Sequence, residues 1–263
     1  MHVPRGAAGP RPVFLLLHAG GSNAAQFQRQ SAFDAEADAA GALAVYPQGL
    51  DDHWNDGRVR GDGALVHAGD DVGFVLALVD RLAAEGLADR AAVHAAGHSN
   101  GGMLALRLAC EVPERLRSIA AVNANLPVDL ACPGAARPLA ALFVHATADR
   151  FMPIGGGRVG WTEGRLGRVL SAYATVSAFA LRNGCTAPES RRLPASDGMP
   201  ATVTVYRACR GAPLARVVVE GSGHGWPGSH YGARMTRQLG PTAQSFSATQ
   251  AIAAFFREHR LPE

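Results

Sequence analysis

The 263-residue sequence predicts an α/β fold: a mostly parallel sheet with helices on both faces. Two patterns predict it. Short, continuous apolar runs read as strands buried on both sides, and the segments between them carry apolar residues at helical spacing. A hydrophobic content of 48% can fill a sizeable core, and the length fits one domain over residues 1–263.

The first strand is expected over residues 12–18, where Val13, Phe14, Leu15, Leu16 and Leu17 run without a break into the turn Ala19-Gly20-Gly21-Ser22-Asn23. A second, over 42–46, is stopped by Pro47. Asp70 and Asp71 suit a helix N-terminus, and Val72, Val75, Leu78, Val79 and Leu82 continue at helical spacing until Gly86. Strands over 90–96, 140–145 and 216–219, and helices over 103–111, 169–182 and 249–259, complete the alternation. Residues 155–167, 188–200 and 228–246 read as irregular or lid-like.

Composition removes several chemistries. All 25 cationic residues are arginine, so Schiff-base, pyridoxal phosphate, Ser-Lys and P-loop chemistry lack their lysine. The arginines are scattered and the formal net charge is only +3, which gives no basic stripe for nucleic acid. No apolar stretch approaches the ~18 residues of a membrane span. No cofactor is implied.

Gly97-His98-Ser99-Asn100-Gly101 is a G-x-S-x-G pattern between an expected strand and an expected helix, the setting of a serine nucleophile. A serine on such a strand-to-helix turn is lifted clear of the sheet, and flanking glycines avoid the collision a Cβ would cause. Its hydroxyl is a poor nucleophile at neutral pH, so a base and a group to orient that base are needed. Among ten histidines, His224 is the best base, because it sits in the loop Gly221-Ser222-Gly223-His224-Gly225 just after the strand at 216–219. His94 and His145 fall inside strands and His259 on the terminal helix. His94 and His98 have metal-like spacing but share no helix, so no metal site is expected.

Asp149 follows the strand at 140–145 on a short turn and is the preferred acid over Asp129 and Asp197. Read instead as an ordinary turn residue, it would cap its own backbone. The chain order Ser99, Asp149, His224 is that of α/β-hydrolases. An oxyanion needs amide donors, and Asn100 and Gly20 hold the two usual places for them.

The four cysteines form no C-x-x-C pair, and Cys110 with Cys132 and Cys185 with Cys209 would close the shortest loops. Such bridges would favour an oxidising compartment. The opening residues Met1-His2-Val3-Pro4-Arg5-Gly6 lack the apolar stretch of a secretory leader.

Six segments together resemble the poly(3-hydroxybutyrate) depolymerase-like and feruloyl esterase-like serine esterases. They are Leu17-His18-Ala19-Gly20-Gly21-Ser22-Asn23, Trp54-Asn55-Asp56-Gly57-Arg58, Asp70-Asp71-Val72-Gly73-Phe74, Gly97-His98-Ser99-Asn100-Gly101-Gly102-Met103, His145-Ala146-Thr147-Ala148-Asp149 and Gly223-His224-Gly225-Trp226-Pro227-Gly228. The resemblance implies the α/β-hydrolase fold, the same triad and hole, a secreted or periplasmic home, and a bridge between Cys185 and Cys209. Ala19 and Ala146 stand where the family usually has glycine, and fewer residues than usual precede the first buried strand.

Family substrates include polyesters, feruloyl polysaccharides and small aryl esters, so the resemblance implies a small-molecule or polymer-linked ester as the partner. Trp54 and Trp226 are candidates to line the acyl pocket, or else they pack structurally. A serine esterase acting on short-chain or aromatic esters is the preferred reading, with a polyester depolymerase as alternative. A silent binding protein on the same fold is disfavoured because serine, acid and base are all present.

Overall fold

The computed structural model describes residues 1–6, 9–132, 137–161 and 165–259. Its strands in chain order are β1 (Arg11–Leu17), β2 (Leu43–Val45), β3 (Ala88–His98), β4 (Ser118–Val122), β5 (Ala140–Ala146), β6 (Gly157–Arg158), β7 (Arg168–Val169), β8 (Cys185–Leu193), β9 (Ala201–Cys209) and β10 (Leu214–Val219). Eight form one sheet in the order β2-β1-β3-β4-β5-β10-β9-β8, while β6 and β7 make a separate two-stranded ribbon. From β2 to β10 every pairing is parallel; β9 and β8 then close the far side antiparallel.

The helices are α1 (Ala24–Ser31), α2 (Asp34–Ala40), α3 (Asp71–Ala84), α4 (Asn100–Glu111), α5 (Ala172–Asn183), α6 (Ala233–Leu239) and α7 (Ala248–Glu258). Because strand side chains alternate, β1 feeds two cores: Val13, Leu15 and Leu17 pack with Val75, Leu104 and Phe179, whereas Phe14 and Leu16 pack with Phe27, Ile252 and Phe256. α3, α4 and α5 thus cover one face, and α1, α2 and α7 the other. Burial on both faces is why the strand sequences are continuously apolar rather than alternating. Side-chain oxygens cap the helix starts: Asn23 before α1, Asp70 before α3, Ser171 before α5 and Ser247 before α7.

Several expectations need correction. Residues 188–200 are not wholly irregular, since 188–193 belong to β8, and 228–246 contain α6. The helix expected from 169 begins at Ala172, because Val169 pairs in β7. β4, β9, α1 and α2 were not expected at all. The edge strand beside β1 is the three-residue β2, to which His2 adds two backbone bonds at Ala44 (2.8 and 3.1 Å). Residues 162–164, part of the expected irregular 155–167 stretch, lie outside the described residues.

Both short-loop cysteine pairs are bridged, Cys110 to Cys132 and Cys185 to Cys209. The second joins directly opposed residues of β8 and β9, and so pins the exposed antiparallel edge. Loop closure across 24 residues contributes on the order of 3 kcal/mol. Replacing Cys185 and Cys209 together by serine should therefore lower the unfolding free energy by about that amount, measured by urea denaturation. Peptide mapping without reductant should recover the same two pairs.

Candidate active site

The site assembles at the carboxyl ends of β3, β5 and β10, which carry Ser99, Asp149 and His224 respectively. Ser99 has φ 53° and ψ −118°, a conformation that ordinary side chains avoid, at a cost of about 1–3 kcal/mol. Neighbouring backbone holds it there. A Cβ on Gly97 would come within 2.2 Å of Gly101 O, and one on Gly101 within 2.3 Å of Leu17 O. Ser99 N–H donates to Val122 O (2.9 Å), and Ser99 O accepts from Met103 N–H (2.8 Å), which starts α4.

His224 Nε2 accepts from the Ser99 hydroxyl at 2.8 Å, and its Nδ1–H donates to Asp149 Oδ2 at 2.6 Å. All three side chains are buried. Asp149 serves both readings considered for it. Its Oδ1 accepts from Phe151 and Met152 N–H (2.9 and 2.7 Å), capping the turn, and that cap leaves Oδ2 aimed at His224. The two loops are zipped together by Ala148 N–H to Ser222 O (2.9 Å) and Gly221 N–H to Thr147 Oγ1 (2.8 Å). Asn123, at the end of β4 with φ 48°, donates its amide to Gly225 O at 2.9 Å and steadies the histidine loop. Phe151 packs on the His224 ring with centroids 4.8 Å apart. Chemically the chain of bonds can move the serine proton to Nε2, while the carboxylate holds the tautomer and offsets the imidazolium charge.

No family model matches the sequence. The chain is 31% identical to the putative esterase NocK of Nocardia uniformis subsp. tsuyamanensis, over 93% of this chain and 74% of that one. It is 26% identical to feruloyl esterase C of Emericella nidulans, over 86% and 76% respectively. This chain belongs to the same esterase family. Among solved structures, an acetyl xylan esterase from Aspergillus awamori superposes with a TM-score of 0.61 at 14% identity, covering 91% of this chain and 92% of that one. Esterase PE8 superposes at 0.55 and 16% identity, covering 98% and 96%. Those two likenesses establish the α/β-hydrolase fold.

In this esterase a cleft of about 590 Å³ opens above Ser99, lined also by Gly20, His53, Arg58, Phe151 and Tyr231. Gly20 and Asn100 adjoin there: a Cβ on Gly20 would stand 3.4 Å from Asn100 Cβ. Among the described residues no protein acceptor takes either backbone N–H. The Asn100 side chain faces the other way, into the floor. Its Oδ1 accepts from Trp54 N–H (2.8 Å), and its Nδ2 donates to Trp54 O (2.9 Å) and Asp56 Oδ2 (2.6 Å). Asp56 in turn holds the buried Arg58 through Nε and Nη2.

Trp54 and Trp226 do not line the cleft, contrary to the expectation for them. They are 0% and 1% exposed. Trp54 donates its indole N–H to His18 O (2.9 Å) beneath the Gly20 loop, and Trp226 donates its own to Thr249 Oγ1 (3.0 Å) within the α7 core. Both polar handles are spent inside the protein. Asp197 instead caps the 244–245 turn, and Asp129 is exposed. The cleft residues missed by sequence reasoning include His53, Arg58, His67 and Phe151, and of these four only Arg58 lay within a quoted motif.

His98 and His145 are wholly buried, and burial lowers each pKa from 6.5 to about 3. His98 Nε2–H donates to His224 O at 2.9 Å, and His145 Nε2–H to Asn125 Oδ1 at 3.0 Å. Unfolding exposes both rings, which then bind protons at the ordinary pKa, so the unfolded chain holds more protons below pH 6.5. Stability should thus be full above pH 6.5 and fall toward pH 3, by about 1.4 kcal/mol per pH unit for each ring. Urea titrations from pH 7 to 4 check this. His145→Gln should lower the slope by about 1.4 kcal/mol per pH unit, and a flat profile between pH 6.5 and 4.5 would rule out burial of two neutral imidazoles.

Proposed function

We propose that this esterase cleaves carboxylic esters through an acyl intermediate on Ser99, with residues 1–263 forming one catalytic domain. The observation that carries the reading is the continuous relay from Asp149 through His224 to Ser99, at 2.6 and 2.8 Å, opening onto a cleft. His224 takes the serine proton during attack and returns it to the leaving alcohol. The Gly20 and Asn100 amides receive the oxyanion, and water then releases the acid by the same steps in reverse. The chemistry needs no cofactor or metal.

Esters of short or aromatic acids, feruloyl-type esters among them, fit the cleft best. Its lining sets the apolar Met103, Phe151 and Leu166 alongside His53, His230, Arg29 and Arg58. The relative named feruloyl esterase C supports the aromatic arm of that reading. Two disulfides support an extracytoplasmic home. Among the described residues no helix is long and apolar enough to cross a membrane.

Ser99→Ala should fold normally, abolish labelling by a fluorophosphonate probe, and lose about 10⁴- to 10⁶-fold in turnover of p-nitrophenyl acetate. Retention of a tenth of wild-type activity would remove Ser99 from the mechanism. Across p-nitrophenyl esters, kcat/KM should peak at short chains and methyl ferulate should be cleaved; a maximum at palmitate would refute the acyl preference.

A further inference from the structure

His53 takes no part in the proton relay, yet a strained turn is built to place it. Asp51 and Asp52 are consecutive non-glycine residues in the left-handed region, with φ 50° and 59°. At Gly49 a Cβ would stand 2.3 Å from His53 O, so only glycine closes the turn. The turn is fastened to the loop carrying Gly20: Gly49 N–H donates to His18 Nε2 (3.0 Å) and Gly21 N–H to Asp52 O (2.9 Å).

The imidazole is fixed twice over. It stacks on His67 with centroids 4.2 Å apart and planes 23° apart, and its Nδ1 lies 2.7 Å from Asp51 O. A carbonyl oxygen only accepts, so Nδ1 carries the hydrogen, and the neutral ring presents a lone pair at Nε2. That nitrogen has no protein partner among the described residues, is not sealed from solvent, and belongs to the cleft wall. An ideal Cβ on Gly20 would lie 3.4 Å from it. A rigid acceptor therefore stands beside the amide that receives the oxyanion.

We propose that His53 is a specificity-determining residue whose Nε2 accepts a hydrogen bond from a substrate hydroxyl close to the scissile ester. The inference rests on the esterase reading and deepens it. A lone pair selects a donor over an ether or carbonyl oxygen, and the nearness of Gly20 restricts that donor to a hydroxyl a few bonds from the reacting carbonyl. Two substrate chemistries supply one: a 3-hydroxyacyl group, or the monoester of a vicinal diol.

The test measures kcat/KM on two matched pairs with wild type, His53→Phe and His53→Gln. Ethyl 3-hydroxybutyrate against ethyl butyrate probes the acyl side, and glyceryl monoacetate against propyl acetate probes the alcohol side. Wild type should favour the hydroxylated member of one pair by roughly tenfold, the effect of one hydrogen bond. The favoured pair identifies the source. His53→Phe, which keeps a flat ring without the acceptor, should bring that ratio to about one, and His53→Gln, whose amide oxygen can accept, should restore part of it. Equal rates within both pairs in wild type, or an unchanged ratio in His53→Phe, would overturn the proposal while leaving the esterase reading intact. Failure of Ser99 to react with a fluorophosphonate would overturn that reading itself.

Discussion

Backbone packed against backbone at residues 97–102 is the constraint on which the site depends. The left-handed Ser99 survives because three glycines let the elbow settle onto its neighbours, with Gly97 against Gly101, Gly101 against the carbonyls of Leu17 and His18, and Gly102 against Ala124. The same contacts that strain Ser99 place the start of α4 beside the loop after β1. The elbow and the loop bearing Gly20 are thereby positioned by one packing event, and a shift in either would move both. Strain of this kind is tolerated where the surroundings over-determine it, and here the close approaches come from the centre of the parallel sheet.

The remaining members of the site are positioned by residues with two tasks each. Asp149 caps its own turn with one oxygen and orients His224 with the other, so the acid's aim is set by local backbone rather than by a long-range contact. Asn100 lines the cleft while its side chain anchors residue 54 below. His98 uses one ring nitrogen to hold the carbonyl of His224, and burial keeps it neutral, so it places no second charge beside the His224 ring. Each arrangement couples geometry to a burial that is already needed for the fold.

The parallel strands were legible in the sequence because burial on both faces writes itself as an unbroken apolar run, as in β1. The relay residues were legible because each follows such a run within a few residues. Other parts leave no such trace. β4, with the sequence SIAAV, is short and rich in alanine, and α2, DAEADAA, buries only Ala37 and Ala40. β8 is an exposed edge whose charged residues hide its pairing. Trp54 and Trp226 were misjudged because an aromatic ring near a site in sequence can face either the cleft or the core, and only the partners of their indole N–H groups decide which. His53 owes its place to a left-handed turn at Asp51 and Asp52, a residue type that tolerates this conformation but adopts others more often, so the local sequence does not single it out.

Beneath the cleft lies a polar floor that stability alone would not select. Asp56 and Arg58 are 1% and 3% exposed, and desolvating such a pair offsets much of its Coulombic attraction, so a well-packed apolar substitute would often serve the fold as well. Their value is directional. Arg58 also donates through Nη1 to Leu166 O at 2.7 Å, Asp56 accepts from Asn100, and Arg107 of α4 donates to Asn55 O at 2.9 Å. Every one of these bonds has a required angle, whereas apolar packing would allow the 54–58 segment to slide. Once the network exists, removing a single partner leaves a buried charge uncompensated, at a cost of roughly 3–5 kcal/mol. A floor with a steep cost for partial disorder, lying under a strained serine and a strained histidine turn, keeps both aligned on the same small volume where the ester must react.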